Sequence, residues 1–506
     1  MGHEIMAPIM FGALVIFLLM GYPVAFSLCA VGLAFGGIGI QLGYIGPELF
    51  RAMPERIFGI VRNDVLLSIP FFTFMGLILE RSGMAEDLLD TMGQLFGRMR
   101  GGIAYAVIFV GALLAATTGV VAASVIAMGL ISLPVMLRYG YSHQLASGVI
   151  AASGTLAQII PPSLVLIIMA DQLGKSVGDM YAGAMVPGLI LTGLYVLYVF
   201  LVTIFNPKAA PALPPEARTL RGFQLLKRVL VSMIPPLMLI FLVLGTIFLG
   251  IATPTEGGAM GAFGALILAL MKQRLSWDLL KQSMDTTAKV TSFVVFILVG
   301  SSVFSLVFRG VDGDLWVEHL LIGLPGGALG FLIVVNIMIF LLAFFLDFFE
   351  IAFILVPLLG PVAQKLGIDL IWFGVLLGVN MQTSFMHPPF GFALFYLRSV
   401  APKIVTTGQI YWGAIPFVVI QLIMVGLVIA FPGMVTNFVS KAPIDHGPQT
   451  IEEFKIDGEE SKPAESGDSV EFNIEGNGAK QDAPKQEDSS IEFNIEGNDK
   501  PATNSK

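Results

Sequence analysis

The chain contains two apolar stretches that each hold a Pro-Pro pair, Gly154-Thr-Leu-Ala-Gln-Ile-Ile-Pro-Pro-Ser163 and Asn380-Met-Gln-Thr-Ser-Phe-Met-His-Pro-Pro-Phe-Gly391. Both belong to one longer pattern, which occurs as Pro134-x5-Gly140-x20-Pro161-Pro162 and again 227 residues later as Pro361-x5-Gly367-x20-Pro388-Pro389. A Pro-Pro pair breaks a helix because proline lacks the N–H donor and clashes with the preceding turn. Within a membrane, such a break survives only where protein, ions or water satisfy the freed carbonyl groups. Two matching breaks in the two halves of a chain therefore indicate a transport site.

The composition is that of a membrane protein. Hydrophobic residues make up 56% of the 506 residues and charged residues only 13%, with a mean hydropathy of +0.83. A soluble domain has about 25% charged residues. The first 44 residues hold one acidic residue, Glu4, and no Lys or Arg. Because no basic segment precedes this apolar stretch, we interpret it as membrane spans rather than as a signal peptide. The sequence predicts an all-α polytopic membrane protein.

Apolar segments divide the membrane part into two halves of about five transmembrane helices each. Each half also holds one apolar stretch of about 35 residues with a central interruption, which is too long for a straight span and suits a re-entrant helical hairpin. The predicted parts are a first repeat over 1–205 (hairpin 103–137, broken helix 158–163), a cytoplasmic linker over 206–228, and a second repeat over 229–434 (hairpin 327–364, broken helix 385–391).

Charged residues orient the two halves relative to the membrane. Arg98, Arg100 and Arg138 flank the first hairpin, which places both of its ends in the cytoplasm by the positive-inside rule. Acidic residues such as Asp312 and Glu318 flank the second hairpin, which suits the outside. The two repeats are therefore predicted to have inverted topology. Counting spans onward places both termini on the periplasmic side.

The last residues, 435–506, form an acidic segment that is predicted to be disordered. From Lys441 onward the chain holds 16 acidic and 7 basic residues, too few large apolar residues to offset the entropy of ordering. A short repeat, Ser469-Val-Glu-Phe-Asn-Ile-Glu-Gly-Asn477, recurs as Ser490-Ile-Glu-Phe-Asn-Ile-Glu-Gly-Asn498. These EFNIEG-type repeats are either a duplicated disordered extension, which is the favoured interpretation, or docking motifs for a partner.

Several motifs, taken in order, carry a family resemblance that covers residues 5–434. They are Ser68-Ile-Pro-Phe-Phe72, Gly154–Ser163, Ala252-Thr-Pro-Thr-Glu-Gly257, Leu346-Asp347 followed by Ile354-Leu-Val-Pro357, Gly367-Ile-Asp369, and Asn380–Gly391. With these motifs the chain resembles the large membrane subunit of tripartite ATP-independent periplasmic (TRAP) transporters, the DctM type. It departs from the family at the tip of the first hairpin, where the usual Ser-Gly-Ser-Ser is replaced by Thr117-Thr118-Gly119-Val120.

The resemblance implies a function and a set of partners. It implies the large permease subunit of a sodium-coupled secondary transporter with an elevator-type fold, which imports an organic acid (a carboxylate or 2-oxo acid) through a bacterial inner membrane. The implied partners are a small four-helix membrane subunit of the DctQ type, a periplasmic solute-binding protein of the DctP type, and membrane lipids. Sodium is the coupling ion, and no other cofactor or nucleic-acid partner is expected.

Two cation sites are predicted at the helix breaks, because sodium binds oxygen ligands and a broken helix exposes carbonyl groups. The first combines the tip of the first hairpin with the first break. The second combines Asp347, at the tip of the second hairpin, with the second break. Alternatively, Asp347 lies in a water-filled outer vestibule, where an acidic residue is tolerated without a function. The predicted ligands are Thr117, Thr118, Gly119, Thr155, Gln158 and Pro161 in the first site, and Asp347, Asn380, Gln382, Thr383 and Pro388 in the second.

The anionic substrate is expected at the N-terminal ends of the half-helices that follow the breaks, since these ends carry a partial positive charge. The candidate residues are Ser163, Ser384, His387, Phe390 and Gly391. His387 is alternatively a hydrogen-bonded structural residue, and Glu256 is either a helix cap or an ion ligand.

Other chemistries find no support in the sequence. It shows no Cys/His metal cluster and no phosphate-binding loop, so ATP is not expected to drive transport and the chain is not expected to be an enzyme. A stand-alone sodium/dicarboxylate symporter remains the alternative transport function, and a polytopic membrane enzyme the alternative from another class.

Overall fold

A computed structural model of the chain describes residues 3–118, 121–344, 346–389 and 391–439, with side chains from Ile5 onward except those of residues 117 and 118. These residues form helices joined by short connections and contain no β-strand. Among them, seven helices are individually long and apolar enough to cross a membrane, and the number rises to ten if each of three bent pairs forms one span. The predicted all-α polytopic fold is confirmed. The hairpin tip Gly119, the substrate candidate Phe390 and the segment 440–506 lie outside the described residues.

The first half begins with two apolar helices and ends with a helix of 29 residues. Its helices are α1 His3–Leu19, α2 Val24–Gln41, α3 Met53–Val61, α4 Asp64–Arg81, α5 Met84–Phe96, α6 Gly102–Thr118, α7 Val121–Arg138, α8 His143–Thr155, α9 Leu164–Gln172 and α10 Val177–Phe205.

The second half follows a connection that holds two short 3-10 turns. Its helices are α11 Gly222–Phe248, α12 Pro254–Met271, α13 Trp277–Gly310, α14 Gly313–Ile322, α15 Gly327–Leu342, α16 Phe348–Ile354, α17 Val356–Lys365, α18 Leu370–Ser384, α19 Phe392–Val400, α20 Thr407–Ala430 and α21 Gly433–Thr436.

The two halves share their helix boundaries at the spacing of the Pro-Gly pattern. α8 and α18 begin 227 residues apart, and α7 and the α16–α17 pair both begin and end 227 residues apart. Within a few residues, the same offset relates α6 to α15, α9 to α19 and α10 to α20. The repeat therefore extends from the prolines to the whole order of helices, as expected for a duplicated membrane unit.

Both predicted hairpin segments and both predicted breaks coincide with helix ends. The stretch 103–137 is α6 and α7, which pack against each other, and 327–364 is α15 followed by α16 and α17. The second return arm is bent by 53° between α16 and α17. The regular α-helix stops at Thr155 and Ser384 and resumes at Leu164 and Phe392, on either side of the prolines.

Two boundaries differ from the sequence prediction. The segment predicted as a linker over 206–228 is only partly irregular, because α11 already begins at Gly222. The predicted end of the second repeat, at residue 434, falls inside α21, whose Val435 is buried. The two halves also differ from each other, because α3 and α4 meet at a 45° bend, whereas α13 continues through 34 residues without a break.

The two broken helices form the centre of the fold. Every residue from Leu145 to Thr155 is buried, as is every residue from Phe373 to Ser384. α20 packs closely on α8, since a Cβ on Gly148 would collide with the carbonyl oxygen of Gly413. Small residues permit this approach. The first break, over 156–163, is also buried throughout, as irregular backbone at membrane depth requires, whereas Pro389 in the second break is exposed.

Candidate functional site

The first break runs from the end of α8 to the start of α9. A short 3-10 turn, Leu156–Gln158, is followed by five residues without regular helix, and the Pro161-Pro162 bond is cis. Ser163 closes the segment, because its Oγ donates to the carbonyl oxygen of Gln158 at 2.5 Å. The hydroxyl group of Tyr181 donates to the carbonyl oxygen of Ser163 at 3.5 Å. The side-chain amide of Gln158 is buried, and neither its nitrogen nor its oxygen has a partner among the described residues.

The second break has more internal hydrogen bonds. The Oγ1 of Thr383 donates to the carbonyl oxygen of Asn380 at 2.6 Å, and the Oγ of Ser384 donates to that of Met381 at 2.5 Å. Beyond the cis Pro388-Pro389 bond, the N–H group of Gly391 donates to the carbonyl oxygen of His387 at 2.6 Å. Gly391 is required here by space, because a Cβ on it would lie 2.7 Å from the carbonyl oxygen of Phe385.

A hydrogen bond joins the two breaks directly. The Nε2 of Gln382 donates to the Oγ1 of Thr155 at 3.2 Å, and these residues are equivalent in the 227-residue repeat. The Nε2 of Gln421, on α20, lies 3.4 Å from the same Thr155 oxygen and 2.9 Å from the hydroxyl oxygen of Tyr195. All four side chains are buried. Residues predicted in two separate cation sites, Thr155 and Gln382, therefore belong to one polar network.

The first arm of the second hairpin covers the second break. The Nδ2 of Asn380 lies 2.8 Å from the carbonyl oxygen of Asn336 on α15, and 3.0 Å from its Oδ1. The imidazole ring of His387 lies between two aromatic rings of the hairpin, with centroids 4.1 Å from Phe340 and 4.4 Å from Phe344. The exposed fraction of His387 is 2%, and neither ring nitrogen has a partner within the described part of the chain. Within the described residues, His387 therefore lacks the hydrogen bond that the alternative interpretation assumes.

Asp347 caps a helix at the tip of the second hairpin. Its Oδ1 accepts the N–H of Glu350 at 3.1 Å, and the Oε2 of Glu350 accepts the N–H of Asp347 at 3.0 Å. This reciprocal pair is a capping box at the start of α16. Among the described residues, no hydrogen bond connects Asp347 with its predicted partners at the second break. A second capping box, between Thr253 and Glu256, lies at the start of α12, so Glu256 acts as a helix cap in this structure.

The first hairpin encloses the first break. α6 and α7 both contact the 3-10 turn that follows α8. A Cβ on Gly111 of α6 would lie 2.5 Å from the Cβ of Ser153, and a Cβ on Gly154 would collide with Val125 of α7. The hairpin backbone is therefore in the place predicted for the first site. Thr117 and Thr118 end α6. The structure does not describe their side chains or any part of Gly119.

Four polar residues of this region were not predicted from the sequence. Each of Asn336, Gln421 and Tyr195 lies in an apolar helix, and an isolated polar group at membrane depth is a signal that could have identified them. Glu350 follows Asp347 by three residues, which is the spacing of a capping box. Their contacts depend on tertiary packing and could not be predicted from the repeat.

Four buried amide oxygens around the breaks have no donor among the described residues. They are the Oε1 atoms of Gln158, Gln382 and Gln421, and the Oδ1 of Asn380. In Gln382, Gln421 and Asn380 the amide nitrogen is directed at protein oxygens, which leaves the oxygen free. An unpaired buried polar group costs about 1–3 kcal/mol, so four of them near one another require an explanation. Carbonyl and amide oxygens are ligands of hard cations, and this donor set fits sodium.

Comparison with known proteins agrees with this arrangement. A family model described as "Tripartite ATP-independent periplasmic transporter, DctM component" matches residues 11–434. The chain belongs to this family. It is similar to the C4-dicarboxylate TRAP transporter large permease protein DctM of Pseudomonas aeruginosa, with 32% identity over 393 residues that cover 77% of this chain and 89% of that protein.

Two further similarities extend this result. The isethionate TRAP transporter permease protein DctMQ of Oleidesulfovibrio alaskensis is 27% identical over 398 residues, which cover 78% of this chain and 60% of that protein. The crystal structure of the Alcanivorax borkumensis YdaH transporter matches with a TM-score of 0.54 and 15% identity, covering 78% of this chain and 90% of that one. The resemblance to a TRAP large permease is confirmed, and this multi-span chain shares its fold with a solved transporter.

Proposed function

We propose that this chain is the large membrane subunit of a sodium-coupled secondary transporter, and that it imports a small organic acid delivered by a periplasmic solute-binding protein. The family places it in an ATP-independent transporter. An ion gradient is then the available source of energy. Sodium is the proposed coupling ion, and the proposed movement is of the elevator type.

The observation that carries the proposal is the set of unpaired buried oxygens at the paired helix breaks. Removing a polar group from water without a partner is unfavourable, so the oxygens of Gln158, Asn380 and Gln382 are expected to acquire a ligand. A cation satisfies oxygens and leaves the donating nitrogens undisturbed. The hydrogen bond between Thr155 and Gln382 connects the two halves, so that cation binding at one break is coupled to the geometry of the other.

The proposed substrate is an organic anion, which binds next to the cations. α9 and α19 both begin after a break without a side-chain cap, and helix N-termini favour anions. The residues proposed to contact it are Ser163, Ser384, His387, Phe390 and Gly391. The N–H of Gly391 and the Oγ of Ser163 are engaged within the breaks, so they would bind substrate only after a local rearrangement. Isethionate and C4-dicarboxylates, named for the relatives, are anions of this class.

The proposed partners are a small four-helix membrane subunit, the solute-binding protein and lipids of a bacterial inner membrane. One relative is named permease protein DctMQ, a name that joins the M and Q components. α11 presents large apolar side chains outward, with Phe223 and Phe241 each 79% exposed, which suits lipid or a membrane partner. The proposed topology has both termini in the periplasm.

The elevator proposal rests on how the helices associate. α6, α7 and α8 pack together, and α18 packs on α9, α15 and α20. α4, α12 and α13 form a neighbouring group, in which α4 packs on both of the others. Rigid-body movement of the first group against the second would carry both breaks together.

The test is uptake into proteoliposomes that hold this chain with its small subunit, supplied with the binding protein and a panel of radiolabelled organic acids. We expect concentrative uptake only with an inward sodium gradient, and none with an equal potassium or proton gradient. Uptake that is unchanged when choline replaces sodium would contradict sodium coupling. Uptake without the binding protein at the same rate would favour the stand-alone symporter instead.

A further inference from the structure

A second polar site lies away from the helix breaks, in a cavity of about 310 Å³. Its walls come from α3, α4 and α13 on one side and from α9, α16 and α17 on the other. This volume is at the lower end of the range of about 300–1,000 Å³ that small-molecule sites occupy. We call it the arginine cavity, and define it by Arg56, Arg309, Asn63, Asp171, Ser302 and Phe353.

Two arginines give the arginine cavity a positive charge. Arg56 is half-buried on α3, and Arg309, near the end of α13, is exposed. The like charge of Arg309 acts unfavourably on the charged form of Arg56. Neither guanidinium group has a carboxylate partner among the described residues. Like charges held near each other in a cavity are unfavourable unless an anion binds between them, and a guanidinium group matches a carboxylate or sulfonate with two parallel hydrogen bonds.

The single acid of the described lining does not neutralise these arginines. The Oδ1 of Asp171 accepts the Nδ2 of Asn63 at 2.6 Å, and its Oδ2 accepts the Nε2 of Gln172 at 2.8 Å. Both carboxylate oxygens therefore accept amide hydrogen bonds, one from Asn63 at the start of α4 and one from Gln172, the next residue of α9. The hydrogen bond from the Oγ of Ser301 to the carbonyl oxygen of Phe353, 2.6 Å long, closes the wall toward the second hairpin. The described lining thus holds two arginines and one acid, a net charge of +1, with no ion pair between them, and it lies beside the hairpin that covers the second break.

We propose that the arginine cavity is an outer binding site for the transported organic anion, in which Arg56 and Arg309 hold its carboxylate or sulfonate group. This inference rests on the proposed function. In the proposed topology the C-terminal ends of α9 and α13 face the periplasm, so the cavity opens toward the delivered substrate. Clefts lined with one sign of charge concentrate ions of the opposite sign.

The first test measures the charge of the cavity and does not depend on transport. Ser302 lines the cavity, and Cys29 is the only native cysteine, so Ser302→Cys is introduced into a Cys29→Ser full-length chain in nanodiscs. The anionic reagent MTSES and the cationic reagent MTSET are then compared, with rates normalised to those for free cysteine. We expect a preference for MTSES that falls by about tenfold when Arg56→Gln and Arg309→Gln remove both charges.

Controls separate charge from general disruption. Arg62→Gln removes a charge from an exposed residue on the same segment that does not line the cavity, and it should leave the MTSES preference unchanged. Arg56→Lys keeps the charge and should retain most of the preference. A preference for MTSET in the unmodified cavity would overturn the proposal. So would a preference for MTSES that Arg62→Gln removes as fully as Arg56→Gln does.

The second test identifies the kind of anion. Succinate and isethionate at millimolar concentration should slow the labelling of Ser302→Cys at least threefold, and sulfate should slow it less. Protection by sulfate alone would contradict an organic-anion site, as would no protection at all. If proteoliposomes show no sodium-driven uptake but the labelling preference and organic-acid protection persist, the proposed coupling fails while the cavity assignment stands.

Discussion

Replacing Gln158 by leucine should make the sodium-free protein more stable and its sodium response weaker. The side chain is 1% exposed, and both polar atoms of its amide lack partners in the described part of the chain. Its backbone carbonyl accepts the Oγ of Ser163, a contact that the substitution preserves. An unpaired buried polar group costs about 1–3 kcal/mol, and leucine removes both of them from the break at similar volume. We therefore expect the free energy of unfolding without sodium to rise by roughly 2 kcal/mol.

The same substitution removes an oxygen that is proposed to bind the cation. A ligand that binds only the folded state stabilises it by about 2.7 kcal/mol at 100 times its dissociation constant. In wild-type protein, saturating sodium should raise the unfolding temperature measured by scanning fluorimetry, with choline chloride as the ionic control. In Gln158→Leu this sodium-dependent rise should shrink by at least half, although the starting temperature is higher.

Gln421→Leu is the matched control for this experiment. Gln421 is equally buried, but its Nε2 donates to the hydroxyl oxygen of Tyr195 and lies near that of Thr155. Its loss removes this donor from the hydroxyl group of Tyr195, whereas Thr155 keeps the Nε2 of Gln382, so the sodium-free protein should become less stable. The reasoning is refuted if Gln158→Leu destabilises the protein as Gln421→Leu does, or if it keeps the full sodium-dependent rise.

Three further predictions address the breaks and the second hairpin. Gly391→Ala places a Cβ 2.7 Å from the carbonyl oxygen of Phe385. It should abolish uptake and lower the free energy of unfolding by about 1–3 kcal/mol. The control Gly408→Ala adds a Cβ that meets nothing within 4 Å, and it should change neither uptake nor stability. Asp347→Ala removes the cap of α16 and should lower stability by about 1 kcal/mol, whereas unaltered thermal unfolding would exclude a capping role. Ser301→Ala deletes the bond that joins α13 to the hairpin; faster hydrogen exchange in α16 is expected, and unchanged exchange would contradict that link.

The architecture was predictable because prolines and glycines constrain the backbone locally. Pro161-Pro162 and Pro388-Pro389 cannot continue a regular helix. The start of α9, the end of α18 and the start of α19 lie one residue from the predicted breaks, and α8 ends three residues before its break. Hydrophobic length likewise fixes the hairpins. The continuity of α13 and the early start of α11 at Gly222 were not predictable, since hydrophobic length indicates that a span is present but not the residue at which its helix begins or bends.

The site was predictable only in part, because side-chain partners depend on packing between distant helices. The sequence placed Thr155 and Gln382 at helix breaks but assigned them to different sites; their hydrogen bond shows that the breaks adjoin. The capping box of Asp347 could have been inferred from Glu350 three positions later. The contact of Asn380 with Asn336 could not have been inferred from the sequence, since no periodicity relates α18 to α15.

Equilibrium binding of radioactive sodium to the purified chain tests the central claim most directly. The claim is that the unpaired amide oxygens at the two helix breaks bind sodium. We expect saturable binding in detergent without substrate, reduced at least tenfold in affinity by Gln158→Leu or Gln382→Leu and unaffected by Gly408→Ala. Absence of saturable sodium binding in folded wild-type protein, or equal affinity in all of these variants, would contradict the account.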